Sequence, residues 1–211
     1  MIGELPSRDS AGLPAAKRSL KAVVRWLARL CVLPFWLSYV IRRVLLGERA
    51  FRGSSQLLSL IPGLVGDYLR AEFYRLTLAA CGSDVQISFG TLFSCPDATI
   101  GDNVYLGAYC VIGNAEIGAD VLLGSNVHLL SGHRQHGIAS VDTPIRLQPG
   151  QAGRIRVGRD TWIGNGTIVM ANVGAKCVIG AGSIVVGDIP DLSIAAGNPA
   201  RILKSRASST A

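Results

Sequence analysis

The chain has 211 residues, of which 49% are hydrophobic and 25 are glycine, and it carries a formal net charge of +7. That length suits one domain with an appendage, and the composition excludes both a disordered chain and a collagen-like repeat. The charge is unevenly divided, with 12 Lys/Arg against 5 Asp/Glu in residues 1–80 and 9 of each in residues 81–211. A basic arm on a neutral body points to an acidic partner for the arm. No aromatic-basic stacking platform or base-reading motif is present, so no nucleic-acid partner is expected. Cys31, Cys81, Cys95, Cys110 and Cys177 form no CxxC pair and no metal spacing. They are expected to be buried thiols in a reducing compartment.

Residues 1–13 lack periodicity and are expected to form a loose tail. From Leu20 to Leu46 the chain is strongly apolar, with Trp26, Phe35, Trp36 and Tyr39 among leucines and valines. No small-residue cleavage site accompanies it, so it is not read as a signal peptide. Its longest charge-free run, Leu30–Ile41, is 12 residues, whereas spanning a bilayer takes about 20. Arg25 and Arg29 precede that run, Arg42 and Arg43 come after it, and Pro34 interrupts it. This pattern predicts a helix in the membrane interface or a re-entrant wedge over residues 20–47, the alternative being an amphipathic helix packed on protein. Residues 47–63 read as a mixed connector ending in the Pro62-Gly63 turn signal. Asp67 is placed to cap a helix running to about Ala80, with Leu69, Phe73, Leu76 and Ala80 at helical spacing and Gly82 as its stop. Such a helix would cover the open end of the domain beyond Gly82.

Beyond Gly82 the sequence is a repeat. Ile100-Gly101, Leu106-Gly107 and Ile112-Gly113 are spaced by six, and Ile117-Gly118, Leu123-Gly124 and Leu129 come after a five-residue step. Val157-Gly158, Ile163-Gly164, Val169 and then Val173-Gly174, Ile179-Gly180, Val185 continue the pattern. Six residues are too few for a strand and its return, but three such units make a triangle of short strands with each aliphatic side chain inward and a glycine letting the corner turn. Stacked about 4.8 Å apart, the triangles form a parallel β-helix. The boundaries expected are a helical, basic amphipathic segment over 1–81, the repeat domain over 82–190 and a C-terminal tail over 191–211. Residues 131–154 break the hexad, and a long interruption of a compact repeat is usually functional. The break contains His133 and His136, and a neutral imidazole is well matched to removing a proton from a hydroxyl.

The hexads Ile100-Gly101-Asp102-Asn103-Val104-Tyr105 and Ile163-Gly164-Asn165-Gly166-Thr167-Ile168 resemble those of the hexapeptide-repeat acyltransferases. So do Trp162-Ile163-Gly164, Gly187-Asp188-Ile189-Pro190 and Ala196-Gly197-Asn198-Pro199-Ala200-Arg201. Within that superfamily the chain most resembles the sugar and polysaccharide O-acetyltransferases, through Ser131-Gly132-His133, the Trp162 motif and the C-terminal segment. The resemblance covers residues 82–205. It implies a left-handed parallel β-helix, so that with the N-terminal helical, partly membrane-associating segment read above the chain is expected to be mainly β. It also implies acetyl-CoA as donor, a sugar or polysaccharide hydroxyl as acceptor, no metal, and a homotrimer with its sites between neighbouring subunits. His133 matches the register of the general base, with His136 an alternative, and the backbone amide of Asn165 corresponds to the group that stabilises the oxyanion. Gly164, Ala181 and Gly182 would let the pantetheine arm lie close to the backbone, Trp162 would wall the site or be structural, and Arg201 and Lys204 would hold nucleotide phosphates. Gly187 departs from the lysine often found there. The expected location is cytoplasmic, peripheral at the inner membrane, with a lipid-linked or exported acceptor. The competing readings are a γ-carbonic-anhydrase-like zinc hydratase, given the His128-x4-His133 spacing, and a non-catalytic scaffold.

Overall fold

A computed structural model describes residues 15–208 except His133 and Ala152. The expected loose tail at 1–13 lies outside these residues. Three helices precede the strands: α1 (Ala15–Leu46), α2 (Glu48–Ser59) and α3 (Gly63–Thr77). The strands, nearly all two or three residues long, then wind through three sheets. The first sheet has four strands, from Ala80–Cys81 to Ile155–Val157. The second has seven, from Gln86–Ile87 to Ala200–Ser205, and the third has five, from Leu92–Phe93 to Ile184–Val185. Every named pairing is parallel except the last, in which Ala200–Ser205 returns antiparallel to Ser193–Gly197. The molecule is mainly β, a parallel β-helix of about six turns behind an N-terminal helical segment, and a left-handed winding is consistent with the hexapeptide-repeat fold. Residues 191–205 are continuous with the β-helix, because Ile194 and Ala195 pair with Val178 and Ile179.

The hexad has a plain physical basis. Ile100, Ile117, Ile155 and Val157 on the first sheet, Leu106, Leu123, Ile163 and Ile179 on the second, and Ile112, Leu129, Val169 and Val185 on the third all point inward and are buried. Where a glycine comes after the inward residue, it serves differently from the expectation. A Cβ on Gly158 would lie 2.3 Å from Ala175 N, and one on Gly164 would lie 2.5 Å from Ala181 N. These glycines therefore allow the next coil to approach. The left-handed backbone that turns the corner falls two residues later, at Asn103, Asp120, Asn126 and Asp160 and at Gly166 and Gly182, mostly residue types that tolerate it.

The N-terminal segment differs from the sequence-based expectation at three points. Residues 48–59 form helix α2, whose Phe51, Ser55 and Leu58 are buried against the first coil. Asp67 lies a turn inside α3, where its Oδ1 accepts from Arg70 Nη2 at 2.7 Å and its Oδ2 from Gln86 Nε2 at 3.1 Å. Pro34 does not interrupt α1, which continues through it for 32 residues, about 48 Å at 1.5 Å per residue. The thiols are not uniformly buried either: Cys31 is exposed, Cys81 and Cys95 are half-buried, and only Cys110 and Cys177 are enclosed.

The helices close the open end of the β-helix. Tyr39, Phe51, Phe73, Tyr74 and Phe93 make edge or tilted contacts, with Tyr74 and Phe93 centroids 4.4 Å apart. Phe93 N–H donates to Ser55 Oγ at 2.9 Å, and Gly90 N–H donates to Ser59 O at 2.9 Å. The fully buried Arg70 donates to the carbonyls of Ile87, Leu58 and Ile61 at 2.7–3.1 Å. Strand-edge groups that would otherwise stand open thus find partners in the helical layer. Burial pushes the Tyr74 hydroxyl up to about 12 and lowers the Arg70 pKa against the opposing pull of Asp67.

Replacing Arg70 removes the donor from the buried carbonyls of Ile87 and Leu58, from the half-buried carbonyl of Ile61 and from Asp67 Oδ1. Arg70→Met is expected to lower stability by about 3 kcal/mol or more, read as a falling denaturant midpoint, with Arg70→Lys recovering little because one ammonium cannot reproduce the fork. The corner residue Asp84 gives a pH handle. Burial raises its pKa, but hydrogen bonds from Lys21 and Arg25 on α1 outweigh that and hold it below the ordinary carboxylate value. A depressed carboxylate stabilises above its unfolded pKa and loses that contribution as pH falls through its folded pKa. Acidification below pH about 4 should therefore loosen the α1 contact in wild type, and Asp84→Asn should remove that part of the acid sensitivity in hydrogen exchange of α1.

Candidate active site

The corner joining the second sheet to the third carries, coil by coil, Phe89-Gly90, Ala108-Tyr109, Ser125-Asn126, Asn165-Gly166 and Ala181-Gly182. Asn165 is exposed, and its Oδ1 accepts from Ser125 N at 3.0 Å on the preceding coil. The Asn165 N–H itself has no hydrogen-bond acceptor among the described residues. Gly182 N–H donates to Asn165 O at 2.8 Å, which stacks Ala181 and Gly182 directly below. The structure thus brings Asn165, Gly164, Ala181 and Gly182 together on one corner.

Trp162 lies on the outer face of the second sheet, in register with Leu122 and Val178, and is 54% exposed. With Leu122, Val178, Ile194 and Arg206 it lines a depression of about 360 Å³. Arg201 and Lys204 belong to the terminal strand of the same sheet, paired with Ala196 and Ile194, and both are exposed.

The loop leaves from a different corner, that joining the third sheet to the first. Ser131 O accepts from Gly153 N at 2.8 Å and Arg134 O from Gln151 N at 2.6 Å, which closes the loop's base. At its far end Gln148 Nε2 donates to the carbonyls of Ser140 and Thr143 at 2.8 and 2.7 Å. His136 is exposed, and His133 lies outside the described residues. At the loop's root Ser131 Oγ accepts from Asn114 N at 2.9 Å, while the buried Asn114 Oδ1 has no partner among the described residues.

Two groups that the sequence did not point to as part of the transfer site stand nearby. His128, which the sequence suggests only as a metal ligand, lies on the outer face of the third sheet between the two corners, with Asn126 Oδ1 3.3 Å from its Nε2. Tyr109 is 57% exposed, adopts φ 60°, and packs edge-on against Phe89 at 5.6 Å. Its signal was in the repeat, because a tyrosine fills a corner position held on later coils by asparagine or glycine. A depression of about 620 Å³ beside the first sheet is lined by Glu116, Arg156, Asn172 and Asp188, among others, and by none of the predicted site residues. Among the described residues no three His, Cys, Asp or Glu side chains converge as a metal site.

Two family models match the repeat: bacterial transferase hexapeptide (six repeats) over residues 96–131, and hexapeptide repeat of succinyl-transferase over 154–186. Both matches fall within the β-helix, which is thus similar to the hexapeptide repeats of bacterial transferases. Over 111 residues the chain is 37% identical to a probable acetyltransferase of Mycobacterium tuberculosis, covering 50% of this chain and 36% of that one. Over 113 residues it is 31% identical to a putative lipopolysaccharide biosynthesis O-acetyl transferase of Escherichia coli, covering 49% and 58% respectively. The aligned region thus spans between about a third and somewhat over half of these relatives' own length. Among solved structures, a maltose O-acetyltransferase from Clostridium difficile superposes with TM-score 0.65 at 23% identity, over 75% of this chain and 87% of that one. A galactoside acetyltransferase in complex with coenzyme A gives 0.64 at 24%, over 76% and 83%. At these identities the likeness establishes the hexapeptide-repeat fold.

If Asn165 acts through its backbone N–H, its side chain serves only to tie two coils together. Asn165→Ala is expected to cost about 0.5–1.5 kcal/mol of stability, read as a lower thermal midpoint.

Proposed function

We propose that this protein is an O-acetyltransferase that moves an acetyl group from acetyl-CoA to a hydroxyl of a sugar or polysaccharide precursor. The observation that carries the reading is the pairing of the Asn165 corner amide, which has no acceptor among the described residues and lies above the small residues Ala181 and Gly182, with a histidine-bearing loop on the same β-helix. The acetyltransferase names of the relatives support acyl transfer over the hydratase and scaffold alternatives.

In the proposed reaction the imidazole of His133, or of His136, removes the proton from the acceptor hydroxyl as its oxygen attacks the thioester carbon. The Asn165 N–H donates to the oxyanion of the tetrahedral intermediate. The carbon–sulfur bond then breaks, and the imidazolium returns its proton to the departing thiolate. Ala181 and Gly182 leave room for the pantetheine arm, and Arg201 and Lys204 supply cations for the nucleotide phosphates.

Loop and amide stand on different corners of one β-helix, and the loop exposes Ile138, Val141, Ile145 and Leu147 at 56–97%. Both features support a homotrimer in which the loop of one subunit reaches the corner of the next. The location proposed is the cytoplasmic face of the inner membrane.

With acetyl-CoA and a panel of sugar acceptors, a general base contributes about 10²–10⁴ in rate. His133→Ala or His136→Ala should lower kcat by that order with the fold intact, and His128→Ala should change it less than tenfold. Unchanged turnover in both loop variants would overturn the assignment of the base. In light scattering the wild type should have three times the mass of the chain.

A further inference from the structure

Helix α1 has two faces of opposite character. Toward the body, Ala28, Val32 and Tyr39 are buried, and the basic residues are engaged: Lys21 and Arg25 with Asp84, Arg29 with Glu72, and Arg42 with Ser54 Oγ. Away from the body, Val23, Trp26, Leu30, Leu37, Ile41 and Val44 lie along one line of the helix and are 44–84% exposed. No charged side chain shares that line, which runs for about 32 Å at the helical rise. The stretch Ser19–Leu46 has mean hydropathy 1.4, with 17% of its most apolar window buried. An uncovered surface of this kind marks an interaction face.

Leu64, Val65 and Tyr68 of α3 extend the surface, and an apolar cleft of about 590 Å³ separates them from Leu20, Val24 and Leu27 of α1. Leu60, Leu64 and Val65 are each 67–73% exposed. Lys17 at one end of the apolar line and Arg43 and Arg49 at the other form no ion pair among the described residues.

We infer that α1 and the first turn of α3 form a monotopic anchor that lies in the plane of an anionic lipid bilayer without crossing it. The body-facing contacts extend from Lys21 to Arg42, so a transmembrane placement would strip nearly the whole helix from the β-helix and leave Asp84 and Glu72 without partners. In the plane, the same contacts persist while the outer face enters the acyl region, as amphipathic interfacial helices do. The terminal cations then meet anionic headgroups. Charge pattern also favours lipid over a second copy of the chain: a two-stranded coil needs a narrow apolar seam flanked by charge, whereas Leu27 and Pro34 widen this one. The anchor is distinct from the acetyl-transfer site and stands whether or not that assignment holds.

The full chain mixed with phosphatidylcholine vesicles, with and without phosphatidylglycerol, is expected to float with both and more completely with the anionic lipid. Emission from Trp26 should be quenched by brominated acyl chains, read as quenching that disappears in Trp26→Phe. Leu30→Glu combined with Leu37→Glu should reduce flotation to the level without vesicles, while the thermal midpoint of the body and acetyl transfer to a soluble acceptor stay within twofold of wild type. Leu20→Cys and Leu46→Cys, each in a background with the exposed Cys31→Ser, should both react with an impermeant maleimide from outside the vesicles. Protection of one end inside the lumen would establish a span and overturn the in-plane placement. Failure to float, with the double glutamate variant halving the particle mass in light scattering, would assign the face to a second copy.

Discussion

Coil-on-coil approach is the constraint on which the rest of this molecule depends. Each strand pairs with the strand one turn away, and the corners must come equally close, which leaves no room for a Cβ at positions such as Gly158 or Gly164. Inward aliphatic residues then stack into continuous columns, and the corner is turned two residues later by a residue that accepts a left-handed backbone. Because every coil repeats this geometry, side chains at equivalent positions line up along the axis. A groove down one corner is therefore a consequence of the repeat, and the small residues below Asn165 lie where such alignment puts them.

A β-helix has ends, and the N-terminal one is closed by helices rather than left to pair with another edge. The closure combines an aromatic cluster, which supplies apolar area, with Arg70, Ser55 and Ser59, which satisfy first-coil backbone groups. The same helical layer carries α1, whose basic residues are largely occupied in holding it to the body. The excess charge of the first 80 residues thus has a structural use that a charge count does not reveal. What remains for an external partner is an apolar face with cations near its ends.

The proposed chemistry divides between elements of different order. The corner amide and the small residues beneath it are fixed by the repeat, while the histidines sit on a segment that departs from it. The loop is nonetheless organised, with its base tied at Ser131 and Arg134 and its far end held by Gln148. Its apolar side chains Ile138, Val141, Ile145 and Leu147 are exposed, which fits the proposal of a site completed by a neighbouring subunit.

The parallel β-helix was legible in the sequence because one inward position in six must be aliphatic and, at two of the three corners, the next is glycine where the adjacent coil comes close, and both demands write directly into residue type. The loop showed itself by breaking that rule. The helix at 48–59 did not, since Gly53, Ser54 and Ser55 resemble a linker and become helical through packing of Phe51 and Leu58 on the first coil. The cap role expected of Asp67 failed because Arg70 and Gln86 approach it from elements that only the folded chain brings together. Pro34 suggested a break, yet α1 runs through it. Tertiary structure also decided which side of α1 holds charge and which corner each site group occupies, because both depend on contacts between residues far apart in the chain.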